Sequence, residues 1–360
     1  MNQPDAAGGI AMVLPASEAF APGRAGAIAL VVRRLAAATG ASVIGAACAE
    51  PGFPGIACDP VRFRAPLAYN AGVLRRLRRL RPASIDIHQQ PRLARLAARL
   101  LPGSRVMLFL HNEPTTMRGL TSPAARAGTL RRLHAVVCVS DHLRARYATG
   151  LADTARLVTL HNPLTLAELP APPDARRREI LFAGRIVEGK GIADFIAASA
   201  AALPRLPGWS ARIIGGDRFG PDSPETPFVR EMRARAGAAG IAWDGYRPHD
   251  EVLAAMAGAA IVAVPSRWPE PFGLTALEAM AAGATLVATR AGGLPEVVGE
   301  AGLLVPPGDA AALEAAFLRL TGDDAARDRL AAAGRARAQL FDTPVIAARL
   351  QRLRDAETPV

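Results

Sequence analysis

The chain has 360 residues, half of them apolar, and a formal net charge of +11. That length suits two domains of ordinary size, and that apolar fraction fills two cores, which excludes a disordered or fibrous protein. No window reaches 18 consecutive apolar residues, MNQPDAAGGIAMVLP has no basic leader, and Cys48, Cys58 and Cys138 form no C-x-x-C pair, so a cytoplasmic chain is expected, without disulfides or zinc and with its cysteines serving packing.

In chain order, short apolar runs alternate with helical patterns. GIAMVLP, SVIGAACA, SIDIHQ, RVMLFLHN, AVVCVS and RLVTLHN in the first half are separated by Ala/Leu/Arg-rich stretches, the signature of a parallel sheet covered on both faces. Among those stretches VLRRLRRLR (73–81) places Leu74, Leu77 and Leu80 on one stripe, with Arg75, Arg76, Arg78 and Arg79 beside it. It fits either a core-facing helix with a solvated basic face or a helix lying on an anionic membrane. The alternation pauses in a proline-rich stretch around Pro170, read as a linker. It resumes with EILFAGR, ARIIGG, IAWDGY, AIVAVPS, ATLVATR and GLLVPPG, a second sheet of the same class. The boundaries are then 1–165 for the first domain, 166–178 for the linker and 179–343 for the second. A last helix over 344–360, with Val345, Ile346, Leu350 and Leu353 on one stripe, is expected to pack back on the first domain.

The charge has a location. Residues 1–170 hold 21 arginines against 9 acidic residues, a balance of +12, while the rest of the chain balances to −1. Such a basic half suits nucleic acid, anionic lipid or a charged acceptor, or it is simply a soluble Arg-rich surface.

Of the 43 basic residues only one is lysine, Lys190 in FAGRIVEGKG (182–191). Gly184, Gly189 and Lys190 fit G-x-x-x-x-G-K, but Gly191 stands where a phosphate loop carries the Ser or Thr that holds Mg²⁺, and no strand ends in a second metal-binding Asp. A competing reading starts from SRWPEPFGLTALEAMAAG (266–283). There a strand ends, a loop carries Glu270, Phe272 and Gly273, and a helix beginning near Leu274 carries Glu278. Ligands of parallel sheets bind at such an edge, and the amides of Phe272 to Leu274 suit a diphosphate. No D-x-D occurs anywhere, so the carboxylate pair that commonly holds a metal-bound diphosphate is missing. About eight helical residues, a rise of about 12 Å, would set Glu270 and Glu278 too far apart for a glycosidase pair at about 5 Å.

These elements, with RIIGG (212–216) and RAGGLPEVVGEAGLLVPPGD (290–309), resemble the retaining GT-B glycosyltransferases of family 4 in order and spacing. The resemblance is dense in the second domain. In the first it rests on PGRAG (22–26), LHNEP (110–114), VCVS (137–140) and LHNP (160–163), and GRAGA departs from the Gly-Gly-Ala-Glu loop of many members.

The resemblance implies an α/β GT-B fold, two doubly wound Rossmann-like domains whose parallel sheets face across a cleft. It implies a hexosyltransferase, retaining and metal-independent, that moves a hexose from a nucleotide sugar to a glycolipid or saccharide acceptor without a cofactor. Arg185 and Lys190 would hold the diphosphate, Glu278 the ribose, and Glu270 with Phe272, Gly273 and Leu274 the transferred sugar. Gly215 and Gly216 join the donor set, His111 would stand near the sugar, and Gly23, Arg24 and Gly26 would approach phosphate or acceptor.

His111 also fits a buried core position, and Trp268 fits either the sugar pocket or the core; Gly292, Gly293 and Glu296 fit a tight turn. His88, His134, His142, His161 and His249 lack metal-ligand spacing and read as structural. A peripheral membrane position is compatible with the basic half, and nucleic acid is not expected as a partner. A sugar-nucleotide epimerase and a non-catalytic nucleotide-binding module are the rival readings of the same fold.

Overall fold

The computed structural model describes residues 9–357 except 172, 174, 219 and 221. The leader reading, two positions of the expected linker and residues 358–360 of the expected last helix lie outside the described residues. The chain forms two compact units: one is Leu164–Asp342, and the other runs to Pro163 and takes in the helix that starts at Thr343.

The first unit is built on seven parallel strands: β1 (Ile10–Val13), β2 (Ser42–Ala46), β3 (Cys58–Val61), β4 (Ser84–His88), β5 (Arg105–Leu110), β6 (Ala135–Cys138) and β7 (Leu157–Thr159), in the order β3-β2-β1-β4-β5-β6-β7. Between them run α1 (Ala27–Thr39), α2 (Pro66–Leu80), α3 (Pro91–Leu100), α4 (Pro123–Leu130) and α5 (Asp141–Ala148). The central strands are apolar on both faces because helices cover both. The helices begin where the local chemistry allows: Pro66, Pro91 and Pro123 fill first-turn positions that need no N–H, and Ser122 and Ser140 cap α4 and α5 through their hydroxyls.

The second unit repeats the plan with six parallel strands, β8 (Arg177–Ala183), β9 (Ser210–Ile214), β10 (Ala242–Gly245), β11 (Ala259–Val264), β12 (Thr285–Thr289) and β13 (Leu303–Val305), ordered β10-β9-β8-β11-β12-β13. Its helices are α6 (Ile192–Ala202), α7 (Pro227–Ala238), α8 (His249–Gly258), α9 (Leu274–Ala281), α10 (Leu294–Val298), α11 (Ala310–Thr321) and α12 (Asp324–Ala338). Phe182, Phe195 and Phe317 pack tilted and edge-on through its core. In each unit the strand order reverses once, between β1 and β4 and between β8 and β11, and crevices for ligands open beyond strand ends at such switch points.

The last helix, α13 (Thr343–Asp355), completes the first unit. Ile346 and Leu350 are fully buried there, whereas Val345 is 39% exposed and off the stripe expected for it, being one residue, about 100°, from Ile346. Arg354 is buried in an ion pair with the fully buried Asp86, and Arg105 Nη1 donates to Arg354 O at 2.6 Å. Burial pushes the Asp86 carboxyl up from its ordinary range, against the pull of Arg354.

Several sequence expectations are corrected here. β3 was not expected, because CDPV carries little apolar pattern and a proline; an edge strand tolerates both. Cys58 on that edge is exposed and Cys48 half-buried, so only Cys138 serves packing. In α2, Val73, Leu74 and Leu77 are buried in the unit and Leu80 is half-buried, so the leucine stripe faces the core, while Arg75, Arg78 and Arg79 are exposed. Strand β8 begins at Arg177, inside the stretch read as linker. Helix α9 begins only at Leu274, so Glu270 stands on a loop and the eight-residue helical rise does not apply to it. Among the described residues, no helix is long and apolar enough to cross a membrane.

Candidate functional site

At the β8/β11 switch point of the second unit, two loops clasp each other. The turn after β8 passes through Gly189 and Lys190 to Gly191, which has φ +71° at the start of α6. A Cβ on Gly191 would lie 1.8 Å from Pro265 O, so only glycine lets this turn close on the end of β11. Gly189 O then accepts the backbone N–H of both Arg267 (2.9 Å) and Trp268 (3.2 Å). Arg267 also reaches back to α6, its Nε donating to Asp194 at 2.6 Å.

Lys190 and Glu270 meet inside this clasp. Lys190 Nζ donates to Glu270 Oε1 at 2.6 Å, and Ser266 Oγ donates to the same oxygen. Glu270 is only 5% exposed, whereas the Lys190 side chain keeps 24% of its surface and lies 5.2 Å from the centre of the Trp268 ring. The glutamate is held by its backbone as well: Glu270 bridges to Gly292, and Gly293 N donates to Glu270 O at 2.7 Å. Gly292 has φ +61°, and a Cβ there would sit 2.2 Å from Glu270 O. The tight turn expected at Gly292 and Gly293 is thus the seat of Glu270.

Around this pair stand the other expected donor residues. Arg185 Nε donates to Asp217 O at 3.0 Å, which ties it to the loop after β9 rather than to Lys190. Gly215 and Gly216 begin that loop; a Cβ on Gly215 would lie 1.8 Å from Gly184 O, so the ends of β8 and β9 touch there. Phe272 turns its side chain into the core against Phe341, leaving only its backbone for a ligand. Gly273 precedes α9 without a side-chain cap, and Leu274 opens a helix with no acidic residue in its first turn, the positive end of a dipole. Glu278, buried in α9, pairs with His249 Nε2 at 2.9 Å.

In the first unit, His111 follows β5 and is 6% exposed. Its Nε2 lies 2.8 Å from Nδ1 of the buried His88, and its backbone N–H is accepted by Gln89 Oε1 at 2.7 Å. Gln89 itself has φ +60°, a strained conformation held at a strand end. Burial pushes His111 down to about 3 and, with His111 and Arg354 nearby, holds His88 well below its ordinary value. Both rings are neutral. Gly23 lies in a turn at φ +73°, Arg24 pairs with Glu50 at 3.1 Å, and Gly26 precedes α1. Glu18 occupies the α1 terminus: its carboxylate accepts from Ala29 N at 3.3 Å and from Gly26. A phosphate reaches that position only by displacing Glu18.

Sequence reasoning missed His249, His88, Ser266 and Glu18. His249 and His88, read there as merely structural, instead touch Glu278 and His111. The detectable signal was that β4 and its neighbour β5 both end in histidine within one residue. Among the described residues, no three of His, Cys, Asp and Glu gather as cation ligands.

A family model described as glycosyl transferases group 1 matches residues 177–323. Glycogen synthase of Mycobacterium tuberculosis is 34% identical over 208 residues, 55% of this chain and 47% of that protein, and the chain spans about half the length of the first curated relatives it matches. Phosphatidyl-myo-inositol mannosyltransferase of Mycolicibacterium smegmatis is 30% identical over 286 residues, 75% of this chain and 70% of that one. The crystal structure of Anabaena Alr3699/HepE in complex with UDP and glucose aligns at a TM-score of 0.77 and 20% identity, covering 95% of this chain and 98% of that one.

Proposed function

The chain belongs to the group 1 glycosyltransferases, and on that premise we propose that it transfers a hexose from a nucleotide sugar to an acceptor hydroxyl, as a retaining, metal-independent member of the GT-B enzymes of family 4. The observation that carries the reading is the Lys190–Glu270–Ser266 cluster at the β8/β11 switch point. Transfer breaks the bond between the anomeric carbon and the diphosphate, so negative charge grows on the departing phosphate and a fixed cation must meet it. Lys190 is that cation, with Arg185 and the amides at the start of α9 beside it. Before the donor arrives, Glu270 neutralises the ammonium and keeps it in place.

The same cluster explains why the chain keeps one lysine. A compact ammonium fits between the carboxylate of Glu270 and the face of Trp268, where a planar guanidinium would need more room. Glu278, oriented by His249, takes the ribose hydroxyls, and Glu270 orients the hexose. The acceptor is a glycolipid or a saccharide; the basic face of the first unit suits an anionic one, and a peripheral place at an anionic membrane fits the same charge.

Thermal-shift screening against UDP, GDP, ADP and their sugar conjugates tests the donor site. A ligand at a hundred times its dissociation constant stabilises by about 2.7 kcal/mol, and Lys190→Met should abolish most of that shift. Turnover is followed by release of nucleoside diphosphate, which should depend on acceptor and persist in EDTA. No stabilisation by any of these nucleotides refutes the donor reading, and activity lost in EDTA and restored by Mg²⁺ or Mn²⁺ refutes its metal-free part.

A further inference from the structure

The arginine surplus of the first unit is distributed unevenly. On α2 it is answered in part by acid, since Arg76 and Arg79 both reach Asp59. On α3 it is not. Arg92, Arg95 and Arg99, spaced i, i+3 and i+7, share one helix face. With Arg132, Leu96 and Ala98 they line a cavity of about 600 Å³. None of these four arginines has a carboxylate partner among the described residues. Like charges at such spacings repel, so this hollow is short of counter-charge.

Two further observations give the hollow a built character. Arg92 also lines a second cavity, of about 560 Å³, formed by Pro15–Ser17 after β1 and Gln90 after β4, over the switch point of this sheet. The hollow is also backed by a fixed turn. A Cβ on Gly119, which has φ +100°, would lie 3.2 Å from Arg95 Nη2 and 3.5 Å from Arg92 Cγ, so the Met117–Leu120 turn lies directly against both side chains. Buried Arg126 secures that turn, its Nη1 donating to Leu120 O at 3.0 Å and its Nε to Tyr147 O at 2.8 Å.

We propose that the α3 cavity is an anion site for a ligand carrying two or more phosphate groups, beside the switch-point cavity with which it shares Arg92. A guanidinium is a planar fork that pairs two N–H groups with two phosphate oxygens, so four forks match more than one phosphate. The volume lies within the roughly 300–1,000 Å³ of small-molecule sites. Leu96, 39% exposed, and Ala98 supply an apolar wall for the rest of the ligand. Naming that ligand as the phosphorylated end of an acceptor rests on the transferase reading; the anion site itself rests on residues of the first unit alone.

The test is calorimetric titration of the full chain with pyrophosphate, comparing wild type, R95Q/R99Q/R132Q and R185Q/K190M. Arg92 is left intact, and circular dichroism checks that each variant folds. The wild type should take up two pyrophosphates and each variant one, with inorganic phosphate binding the α3 cavity at least ten-fold more weakly. Loss of all binding in R95Q/R99Q/R132Q, with none in R185Q/K190M, upholds the α3 site and sinks the donor reading instead. A cavity variant that binds like the wild type, or a wild type that binds only through Arg185 and Lys190, overturns the proposal. Phosphatidylglycerol vesicles separate the sources: retention by the wild type but not by R95Q/R99Q/R132Q marks a lipid headgroup, and pyrophosphate binding without vesicle binding marks a soluble phosphate ester.

Discussion

Lys190→Met removes the cation from a carboxylate that is 5% exposed and leaves Glu270 with Ser266 alone. Removing one partner of a fully buried pair costs about 3–5 kcal/mol. The Lys190 side chain keeps 24% of its surface, so water reaches the vacated place, and the hydroxyl still donates; the expected loss is about 2 kcal/mol. Glu270→Gln leaves an ammonium close to solvent and should cost about 1 kcal/mol. Together the two changes should cost about 2 kcal/mol, not 3, a coupling of about 1 kcal/mol. Urea unfolding followed by tryptophan fluorescence reads this cleanly, because Trp209, Trp243 and Trp268, the chain's three tryptophans, all lie in the second unit. Losses that add to within about 0.3 kcal/mol would show that the two side chains do not support each other, and the reasoning about an ion pair poised for a phosphate would go with them.

Three other outcomes follow from the same geometry. Gly292→Ala places a Cβ 2.2 Å from Glu270 O at a left-handed φ and should lower second-unit stability by about 2 kcal/mol or more; a neutral effect in the same fluorescence assay contradicts the seat described for Glu270. Glu278→Ala should weaken nucleoside diphosphate binding by about 1.5–3 kcal/mol, whereas Glu270→Gln should mainly lower kcat; equal losses of nucleotide affinity refute that division. His111 falls to about 3 and His88 well below its ordinary value on folding, so both contribute stability above about pH 6.5 that is lost as the pH drops from there, by up to about 1.4 kcal/mol per unit for each ring. Asp86, raised by burial, acts in the opposite sense. Imidazole ¹⁵N shifts should report both rings neutral at pH 5.5, and protonated rings at that pH would contradict the burial argument.

Twelve strands were legible because each sits in a short, mainly apolar run, which is what a sheet covered on both faces requires, whereas β3 does not. Lys190 was legible by its rarity and by the glycines around it. Its pairing with Glu270 was not, since that residue lies 80 positions on and meets it only because β8 and β11 are neighbours in the sheet. The link from His249 to Glu278 depends in the same way on where α8 and α9 lie. In α3 the spacing PRLARLAARL is plain to read, but whether acid answers those arginines is decided by distant loops. The leucines of α2 show the converse: a pattern that suits a membrane equally suits a core, and only tertiary packing chose.

The buried Arg354–Asp86 pair also bears on how the protein is made. Asp86 leaves the ribosome some 270 residues before its partner, so the first unit is synthesised early yet lacks the cation that balances its interior until α13 emerges. The second unit, continuous from Leu164 to Asp342, meets no such delay. During synthesis the usual order of folding should therefore be inverted, with the later-made unit maturing first and the earlier one waiting, open to chaperones and proteases, for the final helix.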